Sequence, residues 1–343
     1  MISVLNLILG NNVSGNNSLS TAQMELLLCL SRQRVDIPME QTWAPIAGPL
    51  EQNIAKFVSD GLLEDISVEG KIDAKYKVQE IRQMLESRGI KAKGKKQEMI
   101  SVLLGSMPAE QAEALVSDIR MFGLTEAGIQ KLEAYRAAKE KAWNAAESEA
   151  IALLVRGDAR KAWARMARHF EGQLTNDPKW TKPVPDMLAC EASYLVRMPY
   201  DDLPLTEYQR REFGAQLALS VLLGETFEDA GNRIGKFAGS GFEWGQVLLF
   251  SRPSPCGSAA GTTEATSLAE LYATTRIHEA LQKCGLNSLK SSKLGKGIKV
   301  LPVNGSECQV CHSGKYHYSW SELEQLPKLP RQMGCYCTYA AWL

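Results

Sequence analysis

Apolar residues recur at helical spacing along most of the chain. Ser20 or Thr21 stands ahead of a leucine-rich run ending at Leu30, which predicts a helix with a hydroxyl cap. Leu50 to Asp60 carries Ile54, Phe57 and Val58 at helical spacing and stops near Gly61. With the Gly61-Leu62-Leu63-Glu64 turn that follows, this stretch is compatible with a winged-helix-like unit. Between 77 and 104, Val78, Ile81 and Leu85 fall at i, i+3 and i+7, and Gly89 ends that helix. Met99, Ile100, Leu103 and Leu104 then form a second stripe just after Gly94. Farther on, Thr125 is placed to cap an alanine-rich helical run to about Arg156, and Gly157-Asp158 breaks it. Asp158 can cap a helix from Ala159 to Glu171. Thr206 to Leu223, ended by Gly224, reads as another helix, and Ser267 starts one to about Lys283, closed by Cys284-Gly285.

The periodicity breaks in three places. Asn11 to Ser18 is polar, and Asn176 to Pro185 holds three prolines, so both read as loops. From Gly239 to Thr263 glycine, serine and proline dominate, with Val247 to Phe250 a candidate short strand. Ile298 to Leu301 alternates as a strand does and leads into Asn304-Gly305, a hairpin signal. No segment returns at a fixed period, so a repeat array is not indicated. The reading is a mainly α, multidomain protein. It has an N-terminal helical region over 1–72, a two-helix module over 73–110, a helical domain over 111–238 and a small α+β, cysteine-rich domain over 239–343.

Composition alters this picture only locally. Hydrophobic residues make up 45% and charged residues 23%, ordinary globular usage. The formal net charge is zero, so any attraction to a polyanion must come from a patch. Met1 to Gly10 lacks a leading basic residue and a small-residue cleavage site, which argues against a signal peptide. No apolar stretch approaches the roughly 18 residues of a membrane span. Without a secretory signal, the eight cysteines suggest a reduced compartment and a cytoplasmic location. Four of them, Cys29, Cys190, Cys256 and Cys284, are scattered and read as buried thiols or neutral loop residues.

The patch lies on the two-helix module. Between Lys75 and Ile100 eight basic residues face three acids (Glu80, Glu86 and Glu98). Gly94 lets the backbone approach a ligand, the amides at the start of the second helix carry partial positive charge, and Lys95 and Lys96 flank that end. This is a phosphate site without a base-reading group, which predicts shape or composition preference rather than sequence specificity. The order helix, Arg88-Gly89-Ile90, basic linker, Gly94-Lys95-Lys96, then Glu98-Met99-Ile100 with Leu103-Leu104 resembles the SAP motif of DNA- and chromatin-associated proteins. It departs at Lys93, where the family has a small hydroxyl residue, and at Val102, often basic there. The resemblance implies binding of DNA, expected to be duplex, through Arg82, Arg88, Lys91, Lys93, Gly94, Lys95 and Lys96. A module this small touches few phosphates, so a protein partner or a homo-oligomer is expected to add contacts.

The last 36 residues hold Cys308-x-x-Cys311 and Cys335-x-Cys337, 23 residues apart. Two residues between sulfurs let both point at one tetrahedral ion, so the four thiolates predict a closed structural Zn2+ site. His312 and His317 are alternative ligands, and a redox pair or disulfides are the competing reading. The tail is also similar to the end of phage head-morphogenesis (minor head) proteins, which implies a structural role in a virion. No glycine-rich phosphate loop, Gly-x-Ser-x-Gly or His-Glu-x-x-His occurs. Asp201-Asp202 and the Glu225, Glu228, Asp229 group read as solvated helix ends. A non-enzymatic DNA-binding adaptor is therefore the leading expectation. A phage head protein and a nuclease with an unread site are the alternatives.

Overall fold

The computed structural model describes residues 19–31, 33–35, 37–91, 93–171, 173, 177–239, 242, 268–301, 316–329 and 337–343. It is mainly helical, with a small antiparallel sheet near the C-terminus. The candidate strand at 247–250, the Asn304-Gly305 turn, Cys256, Cys308, Cys311, His312 and Cys335 lie outside the described residues. The chain divides into two compact units, 1–142 with 172–175, and 143–171 with 176–343. Among the described residues no helix is long and apolar enough to cross a membrane.

The N-terminal unit opens with α1 (Thr21–Leu30), α2 (Ile37–Ala47) and α3 (Leu50–Ser59). Ser20 caps α1 as expected: its hydroxyl accepts the Gln23 amide at 3.2 Å, and Gln23 Oε1 accepts the Ser20 amide at 3.0 Å. Leu26, Leu27, Leu30, Leu50, Ile54 and Phe57 bury one core. Val58, the third apolar residue of this stretch, is exposed. Buried Asn53 supplies what the end of α2 lacks, donating to the carbonyls of Ala47 and Pro49 at 3.0 Å each. The Gly61-Leu62-Leu63-Glu64 turn leads into β1 (Leu63–Asp65), which pairs antiparallel with β2 (Phe122–Leu124), Asp65 facing Phe122. Everything from 66 to 121 lies between these two strands. It contains α4 (Val68–Lys75), α5 (Val78–Glu86), α6 (Lys96–Gly105) and α7 (Ala109–Ala114). The ends of this insertion meet where the Ile66 amide donates to the Met121 carbonyl at 3.2 Å.

After β2, Thr125 caps α8 (Glu126–Val155), its hydroxyl accepting the Gly128 amide at 3.1 Å. The C-terminal unit continues with α9 (Ala159–Phe170), α10 (Asp186–Arg197), α11 (Glu207–Leu223), α12 (Phe227–Ala238) and α13 (Leu268–Ser292). Asp158 stands at the start of α9 without accepting a cap hydrogen bond, and its carboxylate pairs with Lys161 at 3.0 Å. Helix α13 runs past Cys284-Gly285, where the sequence predicted its end. Cys284 and Leu286 are buried, so packing carries the helix through the glycine. Cys284 is also bridged to Cys190 of α10, their Cα atoms 6.1 Å apart. This corrects the expectation of buried thiols or neutral loop residues at these two positions: α10 and α13 pack side by side and bring together cysteines 94 positions apart. Asp202 and Glu225, expected to be solvated, are paired with Arg276 and Arg233.

The sheet order is β4 (His317–Ser319), β3 (Gly297–Leu301), β5 (Thr338–Trp342), antiparallel throughout. The alternation read in β3 is real: Ile298 and Val300 are buried, Lys299 half-buried. Gln282 of α13 fastens β5 by accepting from the Tyr339 amide and the Thr338 hydroxyl, both at 3.0 Å.

Candidate nucleic-acid interface

The insertion owes its shape to a few large apolar side chains. Ile72, Ile81, Leu85, Met99, Ile100, Leu103 and Val116 are buried together, with Tyr76, Met84 and Ile90 packed around them. Val78, predicted as the first member of the α5 stripe, is instead 40% exposed, so the stripe begins one turn later. Gly89 ends α5 at φ +74°, a conformation that favours glycine. The Ile90 amide then closes the turn onto the Leu85 carbonyl at 3.0 Å.

The basic residues separate into two groups. Lys75 reaches the Leu115 carbonyl at 2.7 Å and pairs with Asp118, whose carboxyl it holds below the ordinary aspartate value by hydrogen bonding. Lys96 turns to Asp73 of α4, 2.9 Å away, so it fastens α6 to α4 as well as standing at the helix start. Arg88 donates to the Met84 carbonyl at 3.0 Å, covering the end of α5. Arg82, Lys91, Lys93 and Lys95 are exposed and enter no salt bridge among the described residues. Four predicted contact residues thus face solvent with their charge uncommitted, while Arg88 and Lys96 also hold the module together.

The turn into α6 has the geometry expected of it, with one addition. Gly94 sits at φ +103°, exposed, directly ahead of Lys95 in the N-cap position. A lysine side chain cannot accept a hydrogen bond, so the amides of Lys96, Gln97 and Glu98 have no side-chain cap. The addition is Glu98, whose carboxylate folds back to accept the Lys95 amide at 3.1 Å. Helix α5 repeats the device, Glu80 accepting the Lys77 amide at 2.6 Å. In the sequence Glu98 stands as one of three acids and as part of the SAP-like pattern, with no capping role assigned to it. The spacing of a glutamate three positions after the cap residue was the available signal.

Of the predicted zinc ligands, only Cys337 falls among the described residues. It is buried beside Val300, Tyr318 and Leu329, and its carbonyl meets the His278 Nε2 at 3.0 Å. His317 is exposed on β4, its ring 4.9 Å from that of Trp342.

Residues 74–101 match the family model of the SAP domain. The match covers the end of α4, all of α5, the basic linker and the first turns of α6, and it points to nucleic-acid binding. Comparison with curated proteins and with solved structures returns no match.

Proposed function

We propose that this chain is a DNA-binding adaptor. Its SAP module holds the sugar-phosphate backbone of duplex DNA without reading bases, and the remaining helical and C-terminal parts engage protein. The single observation that carries this reading is the turn at 93–95. An exposed positive-φ glycine, two exposed lysines and a helix start with unaccepted amides all fall within the SAP match. Such a site suits a phosphate oxygen and offers nothing to a base edge. One module gives non-specific affinity of about 10⁻⁴ to 10⁻⁶ M near physiological salt, so a second copy or a partner supplies the rest.

The test is titration of a fluorescent duplex with wild-type protein and with a Lys93→Glu, Lys95→Glu, Lys96→Glu variant at low salt. Wild type is expected to bind and the variant to lose at least tenfold. Equal binding by the two removes the reading.

A structural Zn2+ held by Cys308, Cys311, Cys335 and Cys337 belongs to the same proposal. Four thiolates would make a closed tetrahedral site, which supports folding rather than chemistry. Elemental analysis is expected to give about one ion per chain. Zinc content unchanged in a Cys308→Ser, Cys335→Ser variant would refute the ligand set. The same Cys-x-x-Cys and Cys-x-Cys tail favours a second reading, a structural protein of a phage head. Recovery of the chain from purified particles, or as a ring-forming oligomer, would favour it over the adaptor.

A further inference from the structure

The start of α6 already holds an anion, and it is the protein's own. The Glu98 carboxylate accepts the Lys95 amide at 3.1 Å and occupies the space in which a side chain at Gly94 would begin. Gly94 therefore does two things: it takes a backbone conformation costly to other residues, and it makes room for this carboxylate. A phosphate seated on the amides of Lys96, Gln97 and Glu98, between Lys93 and Lys95, would lie beside that carboxylate and carry the same sign of charge. The two like charges repel across the turn.

We propose that Glu98 is a built-in competitor for the phosphate site, resting on the phosphate-binding reading above. It seats the Gly94 turn in the free protein and is displaced from the Lys95 amide when nucleic acid arrives. Its cost to affinity keeps the module's grip weak and reversible. Glu80 provides an internal control. It makes the same contact at the start of α5 and carries the same charge, but it follows Lys77 without a positive-φ glycine ahead of it.

The experiment titrates labelled duplex with wild type, Glu98→Gln, Glu80→Gln and the triple lysine variant at low salt. Glutamine still accepts the cap amide, so the helix start is retained. Glu98→Gln is expected to bind about three- to tenfold tighter than wild type, the gain shrinking as salt screens the charge. Glu80→Gln is expected to stay within about twofold of wild type, because its charge lies away from the phosphate. A Glu98→Gln protein that binds like wild type, or only as tightly as Glu80→Gln, overturns the proposal. If Glu98→Gln melts earlier than wild type, amide shifts in wild type decide instead. The Lys95 amide is expected to move among the most strongly on adding duplex, and an unmoved Lys95 amide overturns the proposal. Should wild type and the triple lysine variant bind alike, it is the phosphate site itself that fails.

Discussion

The SAP module and the helical core of the C-terminal unit are built from the same residue types to different ends. Among the described residues the core cluster of the module holds seven buried apolar side chains, whereas that of the C-terminal unit holds twenty-eight. Helices α11 and α12 begin at Thr206 and Thr226, whose hydroxyls accept the amides of Gln209 and Asp229. In the module, α5 and α6 begin at Lys77 and Lys95, which accept nothing. In these two core helices a threonine hydroxyl of the chain takes one of the first amides. In these two module helices a lysine stands at the cap and the glutamate three positions on accepts its amide. The module is thus small and positively edged, and of α4, α5 and α6 only α4, capped by the Ser67 hydroxyl, has a side-chain acceptor at its start.

The strongest way to break this comparison is excision. Joining Asp65 to Phe122 through Asn-Gly replaces the insertion with a two-residue hairpin turn. Duplex binding is expected to vanish while circular dichroism still reports a cooperatively melting helical protein. Retained binding would place the interface elsewhere. Next comes a matched pair of truncations, Leu85→Ala in the module and Leu217→Ala in the large core, both fully buried. Each costs about 2–5 kcal/mol. The first is expected to unfold the module and abolish binding; the second lowers the melting temperature but leaves binding intact. The salt dependence gives a smaller and sharper measure. Losing two phosphate contacts in the triple lysine variant reduces the log–log slope by about 1.8. Smallest is the Lys75–Asp118 pair. The hydrogen bond from Lys75 depresses the Asp118 carboxyl below its ordinary 3.8. A depressed carboxyl stabilises above its unfolded value and loses that contribution as pH falls through the folded one. Asp118→Asn should therefore melt slightly earlier than wild type at pH 7, and the difference should close below about pH 4. A gap that persists in acid would assign the effect to packing instead.

Much of the module was legible because its signals are local. Glycines at 89 and 94, apolar spacing at 81, 85, 99, 100 and 103, and a run of lysines need no knowledge of distant residues. The caps at Ser20 and Thr125 were legible for the same reason. What escaped was set by distant partners. Helix α13 passes Gly285 because its far side is buried, and Cys190 meets Cys284 only through helix packing. Lys96 finds Asp73 and Asp202 finds Arg276 across the sequence. Val78 shows the limit within a local pattern: it holds the right spacing yet lies in the first turn of α5, where the core no longer reaches.

The pairing of Asp65 with Phe122 also has a consequence for how the chain comes into being. On the ribosome β1 emerges long before β2, leaving an unpaired strand edge waiting for its neighbour. Closing a flexible loop of that length is entropically unfavourable, but a module that has already collapsed delivers both ends together. A module that collapses before β2 arrives would therefore time the closing of the N-terminal sheet, and a mutation slowing that collapse would prolong the exposure of β1 during synthesis.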